Sequence, residues 1–129
     1  MKPPAPKTIL IVEDDVGLRE SLMELAAASG YEVRGCDSAK EAYDLAVSFK
    51  PTLIFCDVHL TQGDGRRVLV QLREHKGMHD CQFVLMTGDL VGASQRASVE
   101  FQADDYLAKP FSLPEFLACL AARYQQANI

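Results

Sequence analysis

The sequence predicts a three-layer α/β sandwich built on a five-stranded parallel sheet. Three observations carry that prediction. Apolar runs such as Thr8-Ile9-Leu10-Ile11-Val12 and Leu53-Ile54-Phe55-Cys56 are continuous, as strands buried on both faces are. Between the runs, apolar residues recur at helical spacing. Strand and helix patterns alternate five times without an internal repeat, the order that requires right-handed parallel crossovers.

The first strand, Thr8–Val12, stops abruptly at Glu13-Asp14-Asp15. Leu18, Leu22 and Leu25 then mark a helix, with Gly30 closing it. Residues 31–35 read as a short second strand near a sheet edge. Ser38 opens a second helix, and Glu41 three residues on completes a capping box. Ala42, Leu45, Ala46 and Phe49 give it an apolar face, and Pro51 ends it. The run Leu53-Ile54-Phe55-Cys56 delivers Asp57 to the end of the third strand, and Gly63-Asp64-Gly65 signals a turn. A third helix turns Val68, Leu69 and Leu72 inward and is expected to leave Arg66, Arg67, Arg73 and Glu74 in solvent. Residues 82–86 form another buried strand, running into Thr87-Gly88-Asp89. A weakly patterned helix is expected over 91–101, and a short strand at Tyr106-Leu107-Ala108 leads to Lys109-Pro110. The last helix, 111–124, is expected to face Leu113, Phe116, Leu117 and Leu120 inward.

At 129 residues the chain reads as one domain, 8–126, with a Pro-rich flexible arm over 1–7 and a tail over 127–129. A net charge of −5 argues against a nucleic-acid surface. No stretch has the length of a membrane span, and the leader lacks the apolar core of a signal peptide. Cys36, Cys56, Cys81 and Cys119 are scattered without a C-x-x-C pair, so they read as small apolar residues of a cytoplasmic protein. His75, His79 and Cys81 have spacing that invites a zinc reading, but Gly77 breaks the segment.

The strand ends carry the chemistry. Glu13 and Asp14 follow the first strand, Asp57 the third, Thr87 the fourth and Lys109 the fifth. In a parallel sheet these ends share one edge. Three converging carboxylates call for a cation, and all-oxygen ligands suit Mg²⁺. A lysine and a hydroxyl beside one carboxylate suit a phosphoryl group, with Asp57 as nucleophile. Each residue alone more often caps a helix or a loop; their succession at the strand ends is what points to a site.

As a set, ILIVEDD, LIFCD, the DG of the following loop, VLMTG and YLAKPF resemble the receiver domain of two-component response regulators. The resemblance covers everything after the Pro-rich arm. It implies a flavodoxin-like fold of strand order 2-1-3-4-5, with Asp57 phosphorylated by a sensor histidine kinase, a histidine phosphotransfer domain or a small phosphodonor. It implies that Asp14, Asp57 and the backbone carbonyl of His59 ligate Mg²⁺, with Glu13 acting through a metal-bound water. Lys109 and Thr87 would hold phosphoryl oxygens, Gly88 would leave room, and a cis Lys109-Pro110 bond would aim the lysine. Thr87 and Tyr106 would form the switch that changes the surface of the 91–101 helix, the fifth strand and the last helix, where partners or a second copy could dock.

Thr61 departs from the family pattern, which commonly has proline there, and a looser loop around His59 is expected. His59 and Asp89, each two residues beyond a site residue, flank its mouth and are expected to alter the acyl phosphate lifetime. The domain is expected to act as a switch without an attached output domain, and not as an enzyme. Two competing readings are an aspartate-nucleophile phosphatase of the haloacid-dehalogenase type and an unphosphorylated interaction module. The first wants an acid two residues after the nucleophile, where His59 stands, and the intact set Asp14, Asp57, Thr87 and Lys109 counts against the second.

Overall fold

The computed structural model describes residues 8–78, 80–88 and 103–127. Five strands, β1 (Thr8–Val12), β2 (Glu32–Cys36), β3 (Leu53–Asp57), β6 (Gln82–Thr87) and β7 (Asp105–Ala108), form one sheet. Its order is β2-β1-β3-β6-β7 and every pairing is parallel. Numbered by sheet strands alone, this is the expected 2-1-3-4-5. Helices α1 (Val16–Ala28), α2 (Ala39–Phe49), α3 (Gly65–Glu74) and α4 (Leu113–Ala127) complete the described elements, with a two-residue ribbon of β4 (His59–Leu60) and β5 (Gly63–Asp64). The helix expected over 91–101 lies outside the described residues, as do the arm of 1–7, His79 and Asp89.

The continuous apolar runs divide by alternation. Leu10, Val12, Ile54, Cys56, Phe83 and Leu85 pack with Ala42, Ala46, Val68, Leu69 and Leu72 from α2 and α3. Ile9, Ile11, Leu53, Phe55, Val84 and Met86 pack with Leu22 and Ala26 of α1 and Phe116 and Leu120 of α4. Because successive strand residues point to opposite faces, a sheet covered on both sides needs apolar residues at every position. Phe116 lies 4.8 Å from Phe55, ring centre to ring centre, and anchors the second layer.

The caps follow their local signals. Asp15 accepts a hydrogen bond from the Leu18 amide and Ser38 one from the Glu41 amide. Gly30 takes φ +96°, the left-handed conformation beyond the end of α1 that glycine adopts without a Cβ penalty.

Four local expectations are corrected. The second strand starts one residue later, because Tyr31 closes the end of α1 through its amide to the Ala26 carbonyl, while Cys36 pairs with Val12. The last helix begins after a reciprocal box of Ser112 and Glu115, which bond each other's amides. Leu113, its first residue, is 45% exposed: it sits at the open end of a stripe that Phe116 and Leu120 close. Arg73 is half-buried rather than free in solvent. Its long stem carries the guanidinium back to the Cys81 carbonyl at 2.5 Å and the Asp104 carboxylate at 2.8 Å.

Candidate functional site

The carboxyl ends of β1, β3, β6 and β7 lie side by side because the register carries each strand to the same rim. The Glu13 amide continues the ladder to the Cys36 carbonyl, the Val58 amide to Met86 and the Lys109 amide to Thr87. Those three bonds fix the backbone from which the site side chains project.

Glu13, Asp14 and Asp57 offer carboxylate oxygens that all lie within 4.8 Å of one another. Among the described residues this is the one such cluster of metal-ligating side chains. Lys109 Nζ bridges two of its members, donating to Glu13 Oε1 at 2.5 Å and to Asp57 Oδ2 at 2.9 Å. The second oxygen of each is also occupied: Glu13 Oε2 accepts from the Asp15 amide and Asp57 Oδ1 from the His59 amide, both at 3.1 Å. Glu13 is 1% exposed and Asp57 6%. The Arg19 guanidinium donates to the Glu13 carbonyl and ties α1 to the same corner.

Burial pushes the Glu13 carboxyl above the ordinary range, and the Asp57 charge adds to this, although Lys109 and the Asp15 amide oppose it. For Lys109 burial disfavours the ammonium, but its hydrogen bonds to Glu13 and Asp57 and their charges outweigh that and raise its value. The lysine therefore stays charged. Asp14, half-buried at the edge of the cluster, is held below the ordinary range chiefly by the Thr61 hydroxyl. Three acidic groups face one ammonium, so the rim carries an excess of negative charge that a hard cation with oxygen ligands would satisfy.

Thr87, 2% exposed, ends β6 and pairs with Ala108, immediately before Lys109. Among the described residues, chain neighbours aside, a Cβ on Gly88 would come no nearer than 3.9 Å, to the Lys109 carbonyl oxygen. Gly65 is the opposite case. A Cβ on it would collide with the Asp57 carbonyl oxygen, so only glycine lets α3 start against β3. The Lys109-Pro110 peptide is cis. Tyr106 is half-buried and packs on the α2–α3 side of the sheet. His59 is exposed, with its amide on Asp57.

Sequence reasoning placed Glu13, Asp14, Asp57, Thr87 and Lys109 at the rim; the structure brings the three carboxylates together and sets Lys109 on Glu13 and Asp57. It missed the attachment of Thr61. The amide and hydroxyl of that residue both donate to Asp14 Oδ2, at 2.6 and 2.5 Å. Proline could supply neither donor, and the departure at position 61 was the available signal. Cys36, Cys56 and Cys81 are buried and all four cysteines are free thiols.

The response regulator receiver domain family matches residues 9–121. The chain is 37% identical over 117 residues to the response regulator MprA of Mycolicibacterium vanbaalenii, covering 91% of this chain and 50% of that protein. It thus spans about half the length of the curated relatives it matches. Among solved structures, a putative response regulator from Chloroflexus aurantiacus superposes with a TM-score of 0.82 at 31% identity, covering 93% of this chain and 98% of that one. The response regulator TrrA of Thermotoga maritima, solved in complex with Mg²⁺ and BeF, gives 0.79 at 26% identity, covering 91% and 98%. With its sheet order, its acidic rim and these relatives, the chain belongs to the receiver domain family of two-component response regulators.

Proposed function

We propose that the unit 8–126 is a phosphoacceptor switch in which Asp57 takes a phosphoryl group from a phosphohistidine. One Asp57 carboxylate oxygen forms the bond to phosphorus as the histidine N–P bond breaks, and the imidazole leaves with the electron pair. Hydrolysis of the acyl phosphate later restores the carboxylate. Asp14, Asp57 and the His59 backbone carbonyl would hold Mg²⁺, with Glu13 supporting them from one layer further out. When bound, the ion offsets the negative charge of the phosphoryl oxygens. The excess acidic charge of the rim and its oxygen-only ligands fit such an ion, and the Mg²⁺ and BeF found with TrrA support the choice.

The remaining work falls to the chain. Lys109, held 2.9 Å from Asp57 Oδ2, is positioned to follow that oxygen's charge onto the phosphoryl group. The Thr87 hydroxyl would bind another phosphoryl oxygen, and the space at Gly88 would admit the group. A shift of Thr87 toward the phosphoryl would let Tyr106 repack and alter the surface that partners read. The partners in this reading are a sensor histidine kinase or a histidine phosphotransfer domain. The domain turns over no separate substrate, and it works in the cytoplasm; among the described residues no helix is long and apolar enough to cross a membrane.

The observation that carries the reading is the Lys109 ammonium bridging Asp57 and Glu13 within an acidic cluster. Intact-mass analysis after incubation with acetyl phosphate and Mg²⁺ tests it. One added phosphoryl group on the wild type, absent without Mg²⁺ and absent in Asp57→Asn, is expected. An unmodified wild type would overturn it.

A further inference from the structure

Asp14 follows β1 at the half-buried edge of the rim, where a carboxylate is ordinarily free to rotate. Here one of its oxygens takes two donors from a residue 47 positions away, the amide and the hydroxyl of Thr61. The loop that carries Thr61 is itself fastened. Gln62 bridges to Ser38, its carbonyl accepts from the Ala39 amide at 3.1 Å, and Gly63 at φ +113° packs against Ala39 so closely that a Cβ would collide with it. His59 and Asp64 close the same loop as a ribbon. The start of α2, the β3–α3 loop and Asp14 therefore form one connected rim.

We infer that Thr61 is a positioning residue for the cation site, holding Asp14 oriented before the ion arrives. The inference rests on the reading of Asp14 as a Mg²⁺ ligand. A carboxylate has about four acceptor positions, so two donors on one oxygen do not by themselves exclude an ion. Orienting the group in advance removes the entropy that binding would otherwise have to overcome. The same attachment couples Asp14 to the loop whose His59 carbonyl is read as a neighbouring ligand. Removing an outer partner of a metal ligand typically lowers affinity about 10- to 100-fold. Thr61 is exposed, so water can replace part of its contribution, and the low end applies.

Amide chemical-shift titration of the full chain with MgCl₂ tests this without any phosphodonor. Thr61→Pro, which loses both donors, is expected to bind Mg²⁺ about tenfold more weakly. Thr61→Val, which keeps the amide and the shape, should lie between, and Thr61→Ser should restore wild-type affinity. The same spectra report whether each variant is folded. A wild type that saturates while Thr61→Pro and Thr61→Val bind equally well, or more tightly, overturns the inference and leaves the site reading standing. A wild type with no saturable shifts at the rim overturns both.

Discussion

Replacing Lys109 with methionine removes one ammonium and keeps a stem of similar length, so the change is almost purely electrostatic. It leaves Glu13 and Asp57, with side chains 1% and 8% exposed, facing each other without the ammonium that bridges them. Their ligand oxygens lie within 4.8 Å. Their mutual repulsion, about 3.5 kcal/mol for two unit charges at that distance and an effective dielectric constant of about 20, is offset in the wild type by the ammonium bonded to both and is no longer offset in the variant. The protein can escape part of this by protonating Glu13. From an ordinary value of 4.5, that costs about 3.4 kcal/mol at pH 7 and under about 1 kcal/mol at pH 5. The raised Glu13 value lowers both figures, so the loss is capped near the Coulomb figure and shrinks on acidification. Urea unfolding without Mg²⁺ is expected to show Lys109→Met less stable by about 2–4 kcal/mol at pH 7 and by about 1 kcal/mol at pH 5. An equal loss at both pH values, or none at pH 7, would refute the charge accounting.

Other perturbations probe the frame around the site. Gly65→Ala forces a methyl group against the Asp57 carbonyl and should cost about 1–3 kcal/mol in urea unfolding; an unchanged midpoint would contradict the close approach of α3 to β3. Phe116→Ala empties the space beside Phe55 and should cost about 3–5 kcal/mol, with a smaller loss indicating that α4 is not an anchor of that layer. Thr61→Val should move the Asp14 carboxyl up toward its ordinary value, read by carboxyl ¹³C shifts against pH. A value depressed in the folded state adds stability above the unfolded value, and that stability is lost as pH falls through the folded one. The stability gap between wild type and Thr61→Val should therefore be present above about pH 4 and close below it; a gap that widens on acidification would reverse the sign.

What the sequence made legible was what local pattern encodes. A strand buried on both faces must be apolar throughout, so β1, β3 and β6 stand out, and their polar successors mark the rim. Caps at Asp15 and Ser38 are spelled within four residues. The Ser112–Glu115 box is equally local and sets the start of α4 at Leu113, two residues after the apolar Phe111. Contacts between distant segments were not legible. Arg73 has the spacing of a solvated face, and only the fold brings Cys81 and Asp104 beneath its guanidinium. Thr61 looked like a loosening of the loop, yet its amide and hydroxyl tie that loop to Asp14.

The central claim is that this rim directs a phosphoryl group onto one carboxylate among several. Borohydride reduction after treatment with acetyl phosphate and Mg²⁺ converts an aspartyl phosphate to homoserine, which peptide mass spectrometry then locates. Homoserine at position 57 alone is the expected result. Homoserine at position 14 or 64, or at none, would contradict the account.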